Sequence, residues 1–494
     1  MTRRPDADNG GTAPSPAPVP AVAAKLEAIE QATQAALAYV AGERDAPVRS
    51  GDRQAVEEIL ARFELDQPRG TAEIIETLAA LGRAHAVPST GGRYFGFVTG
   101  GTEPTALAAS LLATTWDQNA ALPVMSPVAA AIDARAAHQI IEVLNLPPSA
   151  TAAFCGGASV ANLTAVITAR DALLAAVGWD VATQGLNGSP PIRVVISDEA
   201  HISVDKALRL AGFGTRMIQR APVDGWGRID PARLPPLDGP TLVVAQAGNV
   251  NTGHSDPFEA IFERIPRVRR LSAFVGGRSG EGPVWVHVDG AFGLWAAAAP
   301  SLGHQIEGVD RADSWTTDCH KWLNVPYDNG VVIVADGRHL SRAMSVDAAY
   351  LNAFDSGRAP MHLGVQMSQA ARAIPVWATL AALGRPGVAE LVERCCRLAG
   401  VMADRLAAAG VEIAAPVVLN QVLARFGDDT TTDAVIVATS RSGESWVGGT
   451  TWQGRRAMRI SVSDIATTDA DIDRAASAVI RAWRRVGTAG ETPD

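Results

Sequence analysis

The stretch whose reading decides the fold is "PVWVHVDGAFGLW", Pro283 to Trp295. In an extended strand Val284, Val286 and Val288 share one face, and Trp285, His287 and Asp289 share the other. Asp289 closes the apolar run. A carboxylate in that position is costly to bury unless it meets a cation or hydrogen-bond donors. A salt bridge to one of the many arginines satisfies that condition, and so does a role in a functional site.

Similar short apolar runs lie on either side, at Ile192–Ser197, Thr241–Ala245, Ser314–Thr317 and Val331–Ala335. Helical stretches such as Ala161–Val177 and Ser203–Ala211 separate them. This alternation predicts an α/β fold with a mostly parallel, helix-covered central sheet. Ligands of such sheets bind at the carboxyl ends of the strands. Upstream, Val22 to Val87 reads as helical with a break near Pro68–Gly70. The Gly-rich "VPSTGGRYFGFVTGG" (Val87 to Gly101) then reads as a loop, and helical patterns resume at Pro104–Thr115 and Pro127–Leu144. Downstream, a long helix follows "ALGRPG" (Ala382 to Gly387) to about Ala409. Strand-like segments come next at Val417–Phe426, Ala434–Ala438 and Met458–Val462, then an amphipathic helix to Arg485. The expected organisation is a disordered tail over 1–21, a helical segment over 22–103, a large domain over 104–380 and a smaller α+β domain over 381–487.

A chain of 494 residues exceeds what a single core usually serves. Its net charge of -9 argues against nucleic acid or an anionic membrane as the main partner. Cys155, Cys319, Cys395 and Cys396 show neither metal spacing nor a disulfide framework, so no metal site is expected and a cytoplasmic setting is the default. The N-terminus has no apolar signal region, and no stretch reads as a membrane span.

Lysine occurs only at 25, 206 and 321. Lys321 stands in "TTDCHKWLNVPYDNG" (Thr316 to Gly330), beside Trp322 and Leu323 and just past a strand. An amine in apolar surroundings gives up its proton more readily and attacks carbonyls, although a snorkelling lysine packed on Trp322 has the same local sequence. Small residues at Cys155–Ser159 before a helix suit a phosphate, and equally a tight strand-to-helix turn. His201 follows the strand Ile192–Ser197. A nucleophilic lysine, a strand-end acid, a histidine and a phosphate-cradling turn on one sheet edge match the needs of pyridoxal 5'-phosphate (PLP).

From Val87 to Arg485 the chain resembles the PLP-dependent group II amino-acid decarboxylases, the family of aromatic-L-amino-acid, histidine and glutamate decarboxylases. The likeness rests on "RYFGF", "GGASVAN", "DEAHISVDKA", "AGNVNTGHSDP", "WVHVDGAFG" and "DCHKWLNVPYD", in the family's order. It implies the PLP-dependent transferase fold, fold type I, and an obligate homodimer with shared active sites, for which 22–103 would supply the dimerisation segment. It implies that Lys321 forms the Schiff base, that Asp289 pairs with the pyridinium nitrogen, and that His201 stacks on one ring face with Ala291 under the other. Ala158 and Ser159, helped by His320, would hold the phosphate. Phe97 and Val98 would line the substrate pocket, and "TTWDQNAALPVMSP", with Trp116, falls where relatives reach into the partner's site.

Two departures stand out. The family's loop tyrosine has no counterpart in "NAFDSGRAPMHLGVQMSQ" (Asn352 to Gln369), where His362 is the obvious proton carrier. The family's "GTT" is Gly248-Asn249-Val250 here, so Asn249 would substitute for a hydroxyl near the cofactor. The expected activity is an L-amino-acid decarboxylase for a hydrophobic or aromatic substrate, acting through a quinonoid. The alternatives are a carbon–carbon lyase or aldolase, an aminotransferase, or an aldehyde-forming decarboxylase.

Overall fold

The computed structural model describes residues 20–49, 51–275, 281–346 and 358–489. They fall into two compact units, one holding the first three helices and the other holding residues 47–49 and 89 onward. In the first unit α1 (Pro20–Glu43) and α3 (Thr71–His85) lie together, joined through α2 (Arg53–Leu60). The side chain of Asp52 caps α2 by accepting from the Ala55 N–H. Neither α2 nor α3 contains a buried residue.

The second unit is built on seven strands: β1 (Thr151–Cys155), β2 (Arg193–Ser197), β3 (Ile218–Ala221), β4 (Gly239–Gln246), β5 (Glu281–Asp289), β6 (Ser314–Asp318) and β7 (Gly330–Val334). Their spatial order is β1-β7-β6-β5-β4-β2-β3, parallel throughout except that β7 runs antiparallel to both its neighbours. The expected mostly parallel sheet is therefore present, as fold type I requires. Successive residues of the strands belong to two apolar clusters, one on each face. Val243, Val286 and Val288 join one, and Leu242, Val244 and Trp285 the other.

The helices of this unit are α4 (Pro104–Trp116), α5 (Pro127–Val143), α6 (Ala158–Ala176), α7 (Val181–Gln184), α8 (Ile202–Leu210), α9 (Phe258–Glu263), α10 (Gly337–Met344), α11 (Ala373–Ala408), α12 (Asp429–Ser442) and α13 (Asp469–Ala489). Most of α6 lies across the middle of the sheet. Ala161, Ala165, Ala169 and Ala172, all buried, recur at helical spacing and let its axis approach closely. A second, antiparallel sheet of β8 (Glu412–Ile413), β9 (Gln421–Arg425), β10 (Gly448–Trp452) and β11 (Arg455–Ser461) has the order β10-β11-β9-β8.

Two sequence expectations change. The β-branched run Ala434–Ala438 is helical, inside α12. Asp428 caps the start by accepting from the Thr431 N–H, and Gly443 (φ 71°) ends the helix in the left-handed region, so local capping outweighs strand propensity. The break at "ALGRPG" is a kink within α11 at Gly384 (φ 60°), so the expected boundary at 380/381 falls inside a helix. Among the described residues no helix is long and apolar enough to cross a membrane.

Candidate active site

Parallel pairing sets Gln246 beside Asp289 and Asp289 beside Thr316, which brings the carboxyl ends of β4, β5 and β6 to one edge. A cavity of about 410 Å³ opens there. Among its lining residues are Phe97, Val98, Gly156–Ser159, His201, Gln246, Asp289, Ala291, Asp318, His320, Lys321, Tyr327 and Arg459. The structure thus brings together nine of the residues singled out from sequence. They are Phe97, Val98, Ala158, Ser159, His201, Asp289, Ala291, His320 and Lys321.

Lys321 enters from the turn after β6, with its Nζ 3.0 Å from Asp318 Oδ2. The other Asp318 oxygen accepts from the Ala158 N–H at 2.6 Å, at the start of α6. Ala158 therefore spends its backbone donor on Asp318, and Ser159 beside it is the cavity-lining residue left for an anion. His320 Nδ1 lies 2.8 Å from the Asn329 carbonyl oxygen. Burial lowers the His320 pKa, and Asp318 opposes that shift. The floor of this corner is glycine for a steric reason. Gly157 has φ 95°, and a Cβ on it would stand 3.2 Å from His320 Cε1; one on Gly156 would stand 2.7 Å from Asp328 Oδ2.

Asp289 is 5% exposed. Its Oδ2 accepts from Asn162 Nδ2 at 3.3 Å and its Oδ1 from the Ala291 N–H at 3.2 Å. Among the described residues it forms no ion pair to an arginine; its partners are the Asn162 amide and the Ala291 N–H. His201 caps α8. Its Nδ1 accepts from the Ser203 N–H at 3.3 Å and lies 2.8 Å from Ser203 Oγ, so the ring is anchored on one side and open to the cavity on the other. Surrounding protein displaces enough water to lower its pKa, while Asp289 pulls the other way.

Three expectations are not met within the chain. Asn249 folds back into its own turn, where its Oδ1 accepts from the N–H groups of Asn251 and Thr252, and it does not line the cavity. Trp116, in the last turn of α4, is 44% exposed and also does not line it. His362 lines a different cavity, with Thr151, Asp336 and Arg338. The strand register explains that separation. Thr151 pairs with Val334 and Ser314 with Val334, so this second cavity lies at the edge of the sheet opposite Asp318 and Lys321. Residues 347–357, Tyr350 among them, lie outside the described residues.

Sequence reasoning missed Arg459, Gln246 and Tyr327. Arg459 comes from β11 of the second sheet and, among the described residues, is the one arginine of the cavity lining; burial lowers its pKa. Its signal was available, since a charge inside "AMRISV" breaks an apolar strand as Asp289 does. The Tyr327 ring lies 4.3 Å from that of His320. Asn324 joins these distant segments, although it does not line the cavity. Its Oδ1 accepts from the N–H groups of Gly101 and Ile465, and its Nδ2 donates to the Ser463 carbonyl.

A family model for the pyridoxal-dependent decarboxylase conserved domain matches residues 86–425. Aromatic-L-amino-acid decarboxylase of Bacillus atrophaeus is 27% identical over 318 residues, which is 62% of this chain and 61% of that protein. Tryptophan decarboxylase 1 of Oryza sativa subsp. japonica is 28% identical over 341 residues, 63% of this chain and 62% of that one. The matched segment thus spans less than two thirds of either relative. Human cysteine sulfinic acid decarboxylase is 25% identical over 357 residues, covering 69% of this chain and 68% of its own. Among solved structures, Oryza sativa TDC with PLP and tryptamine superposes with a TM-score of 0.83 at 20% identity, over 95% of this chain and 99% of that one. Mouse CSAD in apo form gives 0.83 at 18% identity, over 94% and 99%.

Proposed function

The chain belongs to the pyridoxal-dependent decarboxylase family and its cofactor is PLP; from that premise we propose an L-amino-acid decarboxylase acting on a hydrophobic or aromatic substrate. The observation that carries the reading is the pairing of Lys321 and buried Asp289 on adjacent strand ends with Arg459 in the same cavity. The donor set fits the cofactor. Lys321 offers an amine for its carbonyl, Ser159 and His320 stand at the glycine-floored start of α6 for its phosphate, and Asp289 offers a carboxylate for its ring nitrogen. Bound there, PLP supplies an electron-withdrawing ring that accepts the electron pair left behind when carbon dioxide departs.

The chain's own residues do the rest. Asp289 holds a proton at the ring nitrogen, which keeps the ring electron-poor. His201, fixed by Ser203, presents a flat face to the cofactor. Among the described lining residues Arg459 is the remaining permanent cation once Lys321 is engaged, and it orients the substrate's α-carboxylate. Phe97, Val98, Val250 and Phe292 offer apolar surface to the substrate side chain. The working unit in this reading is a homodimer in a reducing, cytoplasmic setting. Leu107, Leu111, Leu112 and Trp116, on α4, are each at least 44% exposed in the single chain, and all four cysteines are free thiols.

The test uses the purified holoenzyme and its Lys321→Ala variant. Wild-type protein should sediment at twice the chain mass, show the visible absorbance of the lysine-bound cofactor, and release amine and carbon dioxide from an aromatic member of an amino-acid panel. Lys321→Ala should lose both absorbance and turnover. Aldehyde or keto acid as the main product would replace decarboxylation to an amine with one of the alternative chemistries.

A further inference from the structure

Behind Asp289 runs a line of buried polar side chains, none of which is among the residues lining the cavity. Trp285 Nε1 donates to Ser314 Oγ at 2.8 Å, and Ser314 Oγ lies 2.9 Å from His287 Nδ1. His287 Nε2 lies 2.9 Å from Asn162 Oδ1, and Asn162 Nδ2 reaches Asp289 Oδ2. Thr316 Oγ1 makes a second hydrogen bond to Asn162 Oδ1 at 2.8 Å. Ser314, His287, Asn162 and Thr316 are fully buried, and Trp285 nearly so.

The Asp289 end determines the direction of the line. An indole N–H only donates, and a carboxylate only accepts. Asp289 therefore takes the N–H of Asn162, whose Oδ1 faces His287 Nε2 and makes that nitrogen the donor. In a neutral ring Nδ1 is left as the acceptor, and Ser314, which accepts from Trp285, donates its O–H to it. Burial lowers the His287 pKa to about 4, so the ring is neutral at ordinary pH, with the single proton this arrangement needs. Each donor polarises the next, and every dipole favours negative charge on Asp289. Buried polar side chains are unfavourable unless satisfied, and here they satisfy one another in one sense only.

We propose that Asn162 and His287 form a one-directional buried relay that orients the Asp289 carboxylate and strengthens its hold on the ring-nitrogen proton of the bound cofactor. The proposal rests on the reading of Asp289 as the partner of that nitrogen. Asn162 and His287 are positioning residues, because they act through Asp289. The other titratable groups around the cavity are His201, Asp318, His320, Lys321, Tyr327, Asp328 and Arg459, and the substitutions below leave all of them in place.

The experiment loads wild type and variants with PLP carrying ¹⁵N in the ring and follows the ¹⁵N chemical shift with pH. In wild type the ring nitrogen should remain protonated through the range in which the holoenzyme is stable. Asn162→Ala and His287→Phe should each weaken the hold about tenfold, so that the proton leaves about one pH unit lower. His287→Gln, whose amide can accept from Ser314 and donate to Asn162, should restore most of the wild-type behaviour. Should either strong variant fail to fold, Ser314→Ala removes a smaller, outer link and should give a smaller shift in the same direction. If Asp289→Asn leaves the signal protonated, the reading of Asp289 itself is wrong. If Asp289→Asn loses the proton while the other variants match wild type, the relay is overturned and Asp289 keeps its role.

Discussion

The two sides of the cavity are built by different means. The side proposed to hold the cofactor consists of strand ends: Asp289 closes β5, Asp318 closes β6, Lys321 follows three residues later, and the small residues at 156–159 follow β1. Its spacing comes from the hydrogen-bonded ladder of the sheet. The side proposed to receive the substrate is gathered from afar. Phe97 and Val98 come from a loop before α4, both with left-handed backbone (φ 53° and 58°), and Arg459 comes from the second sheet. The Phe97 ring leans on Trp446 at 5.2 Å, and Asn324 ties the incoming segments to the Lys321 turn. A ladder tolerates little adjustment, whereas a loop held by a few contacts can change without disturbing the sheet. Chemistry on the first and selectivity on the second is the division of labour this construction favours.

Arg459→Gln is the sharpest attempt to break that division. If Arg459 serves the substrate alone, kcat/KM should fall about 10- to 100-fold, the usual loss when a charged hydrogen-bonding partner is removed, with the cofactor absorbance unchanged. Spectra and turnover measured on one preparation decide it. Loss of the cofactor signal in Arg459→Gln would show that the two sides are not separable.

Phe97→Ala should have a smaller and more selective effect. The relative kcat/KM for aromatic over small aliphatic amino acids should drop about tenfold, in line with the modest discrimination of an apolar pocket, while kcat on a small substrate stays near wild type. An equal loss on every substrate would mean that Phe97 acts by holding the strained loop rather than by touching side chains.

What the sequence disclosed follows the same divide. Lys321, Asp289, His201 and the 156–159 turn were legible because each follows an apolar strand at short range, and strand ends in a parallel sheet must meet. Arg459 was legible only as a charge in an apolar strand, because nothing in "AMRISV" says which sheet β11 joins or that this side chain lines the cavity. Asn249 was assigned to the cofactor from a motif position, but an asparagine in a turn can bond its own backbone, and here it does. His362 was assigned as the obvious proton carrier in the stretch that stands where the family carries its loop tyrosine. The antiparallel β7 carries the chain back to the far edge of the sheet, and a sequence pattern gives no strand direction. Ala434–Ala438 failed for a related reason, since a β-branched run leaves strand and capped helix undecided.

The rigid side carries a proton-linked cost that stability measurements can expose, and this is the smallest effect expected. His287 titrates at about 4 in the fold and near 6.5 when unfolded. The unfolded chain therefore takes up a proton that the native state refuses. The stability associated with neutral His287 is complete above the unfolded value and is lost as pH falls towards 4. Asp313, which accepts from the Val286 N–H, has the opposite sign. Burial raises its pKa to about 7, so its contribution is complete at low pH and is lost as pH rises through 7. Between these limits the two groups offset each other, and wild type should show a shallow dependence. In cofactor-saturated enzyme, His287→Gln should make acid conditions relatively more favourable, and Asp313→Asn should make them less so, each changing the slope by about 1 kcal/mol per pH unit or less. Urea midpoints at several pH values read this directly. If the two variants change slope in the same direction, burial within the sheet is not what sets these pKa values, and the contrast between a rigid sheet and an adaptable loop side loses its energetic footing.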